Sequence, residues 1–398
     1  MIRGRRGRPA GARETPPGPG PAGAALAVAR RHAVLLGILA FGALFFAYRY
    51  WTDLQRPGAQ TAAGWWAYND QGFYLREATA LGNLQGIPEA EFKYGPGYPA
   101  LAAPFTRIGG GEGWPFRDPF LIPNATIWLL TIAATFLVAR RLYGEWAGVA
   151  AALGLMLATP LIAYVTLPWN TTAVLGALMA VLLVALARRL RLWHGVVLGL
   201  AVALAYSSRY IDAIWVGIAV LAVLGARRAL GPRAPALYGA AAGLVLGALP
   251  TLLLQQQTFG NPFTTAYSRA GGAGLESFAI DDIPVHAAES FVSAFHFGEG
   301  RSGVQPLLVA MFLVVLAPVG FAFALRGARD ARRVLVLGFG VASLAATLVY
   351  WSYWFTGYYG LQFGSLHFFK PWFPLWTIAA VVAVVEGVAW LRGRALAP

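Results

Sequence analysis

The chain contains no cysteine. Disulfides, thiol catalysis and cysteine-built metal sites are therefore excluded. Its five histidines are scattered, with no HxxxH pair, which argues against a histidine-built metal site. Charge is sparse, at 12% of residues against 58% hydrophobic. Short alternating segments of the kind that build membrane barrels are missing, which leaves helices as the way to cross a bilayer. No internal repeat of the sort common in transporters is visible.

What is present is apolar runs of membrane-spanning length, repeated along 398 residues. Ten spans are expected, near 33–51, 121–139, 147–165, 171–187, 195–208, 211–226, 237–254, 305–325, 334–354 and 373–391. Residues 1–32 are rich in Arg, Pro and Gly and cannot bury a core, so they read as a disordered basic cytoplasmic tail. The run HAVLLGILAFGALFFAYRYW that follows has no small-residue cleavage site after it and reads as an uncleaved signal anchor.

The formal charge of +14 invites a nucleic-acid reading. The positions of the charges decide otherwise. With the N-terminus in the cytoplasm, the inner segments collect the arginines of the tail, Arg140, Arg141, Arg188, Arg189, Arg191, Arg227, Arg228, Arg233, Arg326, Arg329, Arg332, Arg333, Arg392 and Arg394. Only Glu14, Glu145, Asp330 and Glu386 join them. This asymmetry is the signature of topology in a multi-pass protein of the cell (inner or plasma) membrane with both termini cytoplasmic. It requires residues 195–226 to enter and return as a short hairpin whose tip, SSRYID, lies below the outer surface. Arg209 and Asp212 would then sit in a recess, where an ionisable pair is costly unless it faces a watery cavity. The long segments 52–120, 255–304 and 355–372 all face outward.

The first of these opens with YNDQGFYLRE, residues 68–77. The spacing of Phe73, Leu75, Ala78 and Leu81 predicts an interfacial helix, with Trp65, Trp66, Phe73 and Tyr74 at headgroup depth and Glu77 solvated. Asp70 in its first turn reads locally as a helix cap or as a functional carboxylate. Downstream, EFKYGPGYPALAAPFTRIGG encodes a rigid Pro/Gly turn leading into a short helix. D-x-x-x-Y followed by Y-G-P-G-Y-P-x-L-x-x-P resembles the GT-C superfamily of membrane glycosyltransferases. The likeness is to the branch of protein O-mannosyltransferases and the lipid A aminoarabinose transferase. RRLYGEWAGVAAALGLMLATPL (140–161), QQQTFGNPFTTAYS (255–268) and FFKPWFPLW (368–376) are similar to further elements of that family.

The resemblance implies an all-α integral membrane fold, a GT-C-like bundle of about ten transmembrane helices with interfacial helices in the first outer loop. The catalytic module would cover 33–268, including outer loop 52–120, and 269–398 would supply an outer loop and the C-terminal helices. It implies an inverting glycosyltransferase that moves a sugar from a polyprenyl-phosphate donor to a lipid, glycan or protein hydroxyl at the outer membrane surface. The carboxylate would be Asp70, and Lys93, Tyr94, Gly95, Pro96, Gly97, Tyr98 and Pro99 would form the floor of the site, with Tyr74 beside them. Such a transfer needs a base for the acceptor and positive charge for the departing phosphate. Asp70 is the candidate base, Arg209 and Lys370 are the candidate phosphate clamps, and Asp212 would orient Arg209. Asn170 stands where many relatives carry a second acid. It can bond a sugar hydroxyl but is a poor metal ligand, so no cofactor is assigned and a divalent cation is left open. Two other readings are retained: a lipid-linked sugar flippase or other transporter, and a non-catalytic scaffold of the same fold.

Overall fold

An apolar segment in hydrocarbon has no water to satisfy its amides, so it folds as a helix. The computed structural model follows this rule. It describes residues 21–52, 69–89, 92, 94–107, 118–157, 165–166, 168–231, 233–265, 278–288, 316–353 and 366–393. An N-terminal unit ends at Gly37 and the main unit begins at Ile38. Helix α1 (Pro21–Thr52) crosses that boundary in sequence.

In the main unit α2 (Asn69–Gly82) and α3 (Gly97–Thr106) precede α4 (Leu121–Tyr143), α5 (Glu145–Met156) and α6 (Thr171–Ala185). Then come α7 (Leu192–Ser208), α8 (Asp212–Ala226), α9 (Pro235–Phe259), α10 (Ala317–Arg326) and α11 (Asp330–Trp351). A helical turn Leu366–Phe369 and a 3-10 turn Lys370–Trp372 lead into α12 (Phe373–Leu391). The ten expected spans fall on α1 and α4 to α12. Among the described residues, His32–Thr52, Leu121–Tyr143, Pro235–Phe259, Asp330–Trp351 and Lys370–Leu391 are long and apolar enough to cross a membrane. The other five are shorter apolar helices, and residues 158–164 and 305–315 of two expected spans lie outside the described residues.

Side-chain contacts fix how the helices alternate. At one end, Tyr50 near the end of α1 bonds Asp118 just before α4, and Tyr98 on α3 bonds Asn124 in the first turn of α4. Asn170, before α6, bonds the carbonyl of Ser208 at the end of α7. Tyr350 at the end of α11 bonds Asp212 at the start of α8, and Lys370 bonds Thr172 at the start of α6. At the opposite end, Tyr143 closes α4 by donating to Glu386 of α12 at 2.7 Å, and Arg227 donates to Ala185 O at the end of α6 at 2.7 Å. The arginine-rich connections gather at this second end. Every helix pair traced by these bonds therefore runs in the sense that the charge pattern requires.

Close backbone packing holds α7 against α9. Gly195 and Gly199 face Gly239 and Gly243. A Cβ at Gly199 would lie 2.1 Å from Ala240 O, and one at Gly243 would lie 2.3 Å from Val196 O. Each pair is a G-x-x-x-G, the spacing that lets membrane helices touch by their backbones. The α2–α3 pair forms a second packed region, where Tyr74, Ala78, Tyr94, Tyr98, Ala102, Phe120 and Ala173 are buried together. This corrects the expected interfacial role of Tyr74: it is 1% exposed, with its ring 5.0 Å from that of Tyr94 and 5.6 Å from that of Tyr98. Phe73 is half-buried beneath the Arg76 guanidinium, while Trp65 and Trp66 lie outside the described residues.

Candidate active site

Asp70 stands in the first turn of α2 and is half-buried. The Tyr94 hydroxyl donates to its Oδ1. The same tyrosine's backbone N–H donates to Glu77 Oε1 at 3.3 Å. Glu77 is fully buried rather than solvated as expected. The reason is local: the backbone N–H of buried Tyr94 needs an acceptor, and a carboxylate two turns along α2 supplies it. One tyrosine thus holds both acids of α2.

The turn that carries Tyr94 is pressed onto the end of α7. A Cβ at Gly95 would meet Ser207 O at 2.2 Å, and one at Gly97 would meet Ser208 Oγ at 2.7 Å. Pro99 is tolerated in the first turn of α3 because its missing N–H would have no intrahelical partner there. The next residue after Ser208 is Arg209. Its Nε lies 3.2 Å from Asp212 Oδ2. Its guanidinium carbon lies 5.1 Å from the Tyr350 ring centre and 4.8 Å from that of Phe368. Tyr350 also donates to Asp212 Oδ1. At the hairpin tip Arg209 is 9% exposed and Asp212 2%, while Tyr210 and Ile211 between them are half-buried.

Lys370 is fully buried and donates to Thr172 Oγ1 at 2.6 Å. It lies within electrostatic range of Arg209. Asn170 donates to Ser208 O at 3.3 Å, so its amide braces the hairpin that carries Arg209. Tyr98 is fully buried and donates to Asn124 Oδ1 at 2.9 Å. Its hydroxyl pKa is raised by burial and by the nearby Asp118 carboxylate. Lys93 lies outside the described residues.

Sequence reasoning passed over Asp118, in RDPFLIPN. Its Oδ2 accepts from Tyr50 at 3.1 Å and its Oδ1 from the Phe120 N–H at 2.8 Å. Burial pushes its pKa up to about 7. The available signal was an acid three residues before the span that begins at Leu121. Segment 278–288, within the expected outer segment 255–304, carried no site assignment either. Phe278 pairs with Tyr353 in an isolated antiparallel bridge, and His286 Nδ1 lies 2.6 Å from Trp351 O. FAIDDIPVH is thereby set beside the end of α11, near Tyr350. Asp281 is exposed and Asp282 half-buried in a 3-10 turn, Ile280–Asp282. Among the described residues, no three His, Cys, Asp or Glu side chains are grouped to hold a metal ion.

Two comparisons bear on this arrangement of helices, loop and hairpin. Residues 93–253 match the model of the family described as dolichyl-phosphate-mannose-protein mannosyltransferase. The fold is similar to the crystal structure of ArnT from Cupriavidus metallidurans in the apo state, at 14% identity and a TM-score of 0.50, covering 80% of this chain. The chain spans 56% of the length of that structure. No curated protein matches the chain in sequence. These matches support a GT-C-like fold for this chain, with the family likeness confined to residues 93–253. Tyr94, Tyr98, Asn170, Arg209 and Asp212 fall inside the matched stretch, whereas Asp70 and Lys370 fall outside it.

Proposed function

We propose that the protein is an inverting glycosyltransferase using a polyprenyl-phosphate sugar, with its site at the outer surface of the cell membrane. The observation that carries this reading is the direct seating of the Asp70 loop on the Arg209 hairpin. Tyr94 holds Asp70, and the adjacent Gly95 contacts Ser207, two residues before Arg209. Lys370 brings a second cation to the same end.

The acceptor hydroxyl oxygen attacks the anomeric carbon from the face opposite the phosphate. The bond from that carbon to the phosphate oxygen breaks, and its electron pair leaves with polyprenyl phosphate. The acceptor proton passes to the Asp70 carboxylate. Arg209, held by Asp212, meets the charge that grows on the leaving phosphate, and Lys370 adds to the field there. Tyr74 and Tyr98 form the packed wall behind the loop, and Asn170 braces the hairpin. Segment 278–288 borders the site and is the region from which acceptor choice would arise.

The test supplies membranes with radiolabelled polyprenyl-phosphate sugars and follows both transfer and release of free polyprenyl phosphate. General bases contribute about 100-fold to 10,000-fold, so Asp70→Asn should lower transfer by that order. Transfer near the wild-type rate in a folded Asp70→Asn protein removes the base assignment. Movement of intact donor across the bilayer without release of polyprenyl phosphate would instead identify a flippase.

A further inference from the structure

At the arginine-rich end, α4, α6, α10, α11 and α12 surround a cavity of about 410 Å³. Its walls are hydrocarbon, including Leu182, Phe339, Leu375 and Val382. Its volume lies in the range of small-molecule sites, about 300–1,000 Å³. Four arginines also line it: Arg141, Arg227, Arg329 and Arg332. Arg141 and Arg329 are exposed, and Arg227 and Arg332 are half-buried.

The two half-buried guanidinium groups are incompletely used. Arg227 gives Nη2 to Ala185 O at 2.7 Å, and Arg332 gives Nη2 to the Tyr143 hydroxyl at 3.3 Å. Among the described residues the Nε of each is sealed from solvent without an acceptor. Glu386, the carboxylate of this cluster, accepts from Tyr143 at 2.7 Å, and none of the four arginines forms an ion pair with a described acid. A guanidinium carries five N–H donors in a planar fork suited to phosphate. An apolar cavity beneath such a set of donors matches a molecule with an anionic head and a hydrocarbon tail. A sterol lacks the anion, and a free anion leaves the hydrocarbon walls unfilled.

We propose that this cavity binds an anionic glycerophospholipid, with an acyl chain among α6, α11 and α12 and its phosphate at Arg227 and Arg332. The site stands apart from the proposed transferase site, at the other end of the same helices. Basic pockets between transmembrane helices hold anionic headgroups by this combination of charge and groove.

Native mass spectrometry of the full chain, purified in detergent and supplied with phosphatidylglycerol or phosphatidylcholine, tests the proposal. The wild type should retain phosphatidylglycerol in preference to phosphatidylcholine. Arg227→Gln with Arg332→Gln should reduce that retention by about fivefold for each arginine removed. Arg188→Gln with Arg189→Gln, at the same end but outside the cavity, should leave it unchanged. Ala331→Trp narrows the cavity with the arginines intact and should also expel the lipid, so the test survives a failure of the double variant to fold. Equal retention of both lipids, equal loss in the Arg188/Arg189 control, displacement by inorganic phosphate, or preference for polyprenyl phosphate would each overturn the proposal.

Discussion

Gly95→Ala perturbs the contact on which the proposed site depends. The added Cβ would sit 2.2 Å from Ser207 O and 2.9 Å from Ser207 C, where real contacts essentially never fall below 3.0 Å. Both neighbours are backbone, so no side chain can swing away. The Tyr94 turn must lift from the end of α7 by about 0.8 Å or more, the difference between the 3.0 Å limit and the 2.2 Å approach to Ser207 O. Overpacking of this kind costs about 1–3 kcal/mol of stability. Tyr94 holds Asp70, so the lift also moves the proposed base relative to Arg209. A displacement near 1 Å in a reacting geometry lowers rate by about 100-fold. The assay is sugar transfer in membranes, together with the thermal unfolding midpoint in detergent. Gly217→Ala is the control, since nothing lies within 4 Å of a Cβ there. It should be neutral or slightly stabilising, as alanine favours helix. A folded Gly95→Ala protein with wild-type transfer and an unchanged midpoint would show that the loop and hairpin are not mechanically joined.

Asp118→Asn tests the buried acid. Burial raises the folded-state pKa from 3.8 to about 7. Between those values the unfolded chain is ionised and the folded chain protonated, so wild-type stability from this group is full below about pH 4 and is lost as pH rises to about 7. Asparagine keeps an acceptor for the Phe120 N–H and does not titrate, so the variant should gain on the wild type by up to about 4 kcal/mol across that window. A difference between the two that is flat with pH in unfolding experiments would refute the assignment. Arg209→Ala leaves Asp212 buried without its guanidinium and should cost about 3–5 kcal/mol, whereas Arg209→Met with Asp212→Leu should recover most of it. Additive losses in the double-mutant cycle would show that the pair is not coupled.

The sequence by itself determined where the helices lie. Runs of apolar residues must become helices in a bilayer, and the arginine asymmetry set their alternation, which the Tyr143–Glu386 and Tyr350–Asp212 bonds reproduce. It also marked the Pro/Gly turn at 94–99, because those residue types restrict the backbone locally. Burial was not legible in the same way. Glu77 and Lys370 look like surface charges in one dimension but are fully enclosed, and Tyr74 faces Tyr94 and Tyr98 instead of headgroups. The two G-x-x-x-G spacings were readable as close-packing faces, yet nothing in the string paired α7 with α9. Only the tertiary structure decided which partners each polar group meets: Tyr94 with Asp70, Asp118 with Tyr50, Arg209 with Asp212. The physical reason is that helix formation and insertion depend on near neighbours and solvent. A buried hydrogen bond or ion pair depends on groups tens to hundreds of residues away that packing alone brings together.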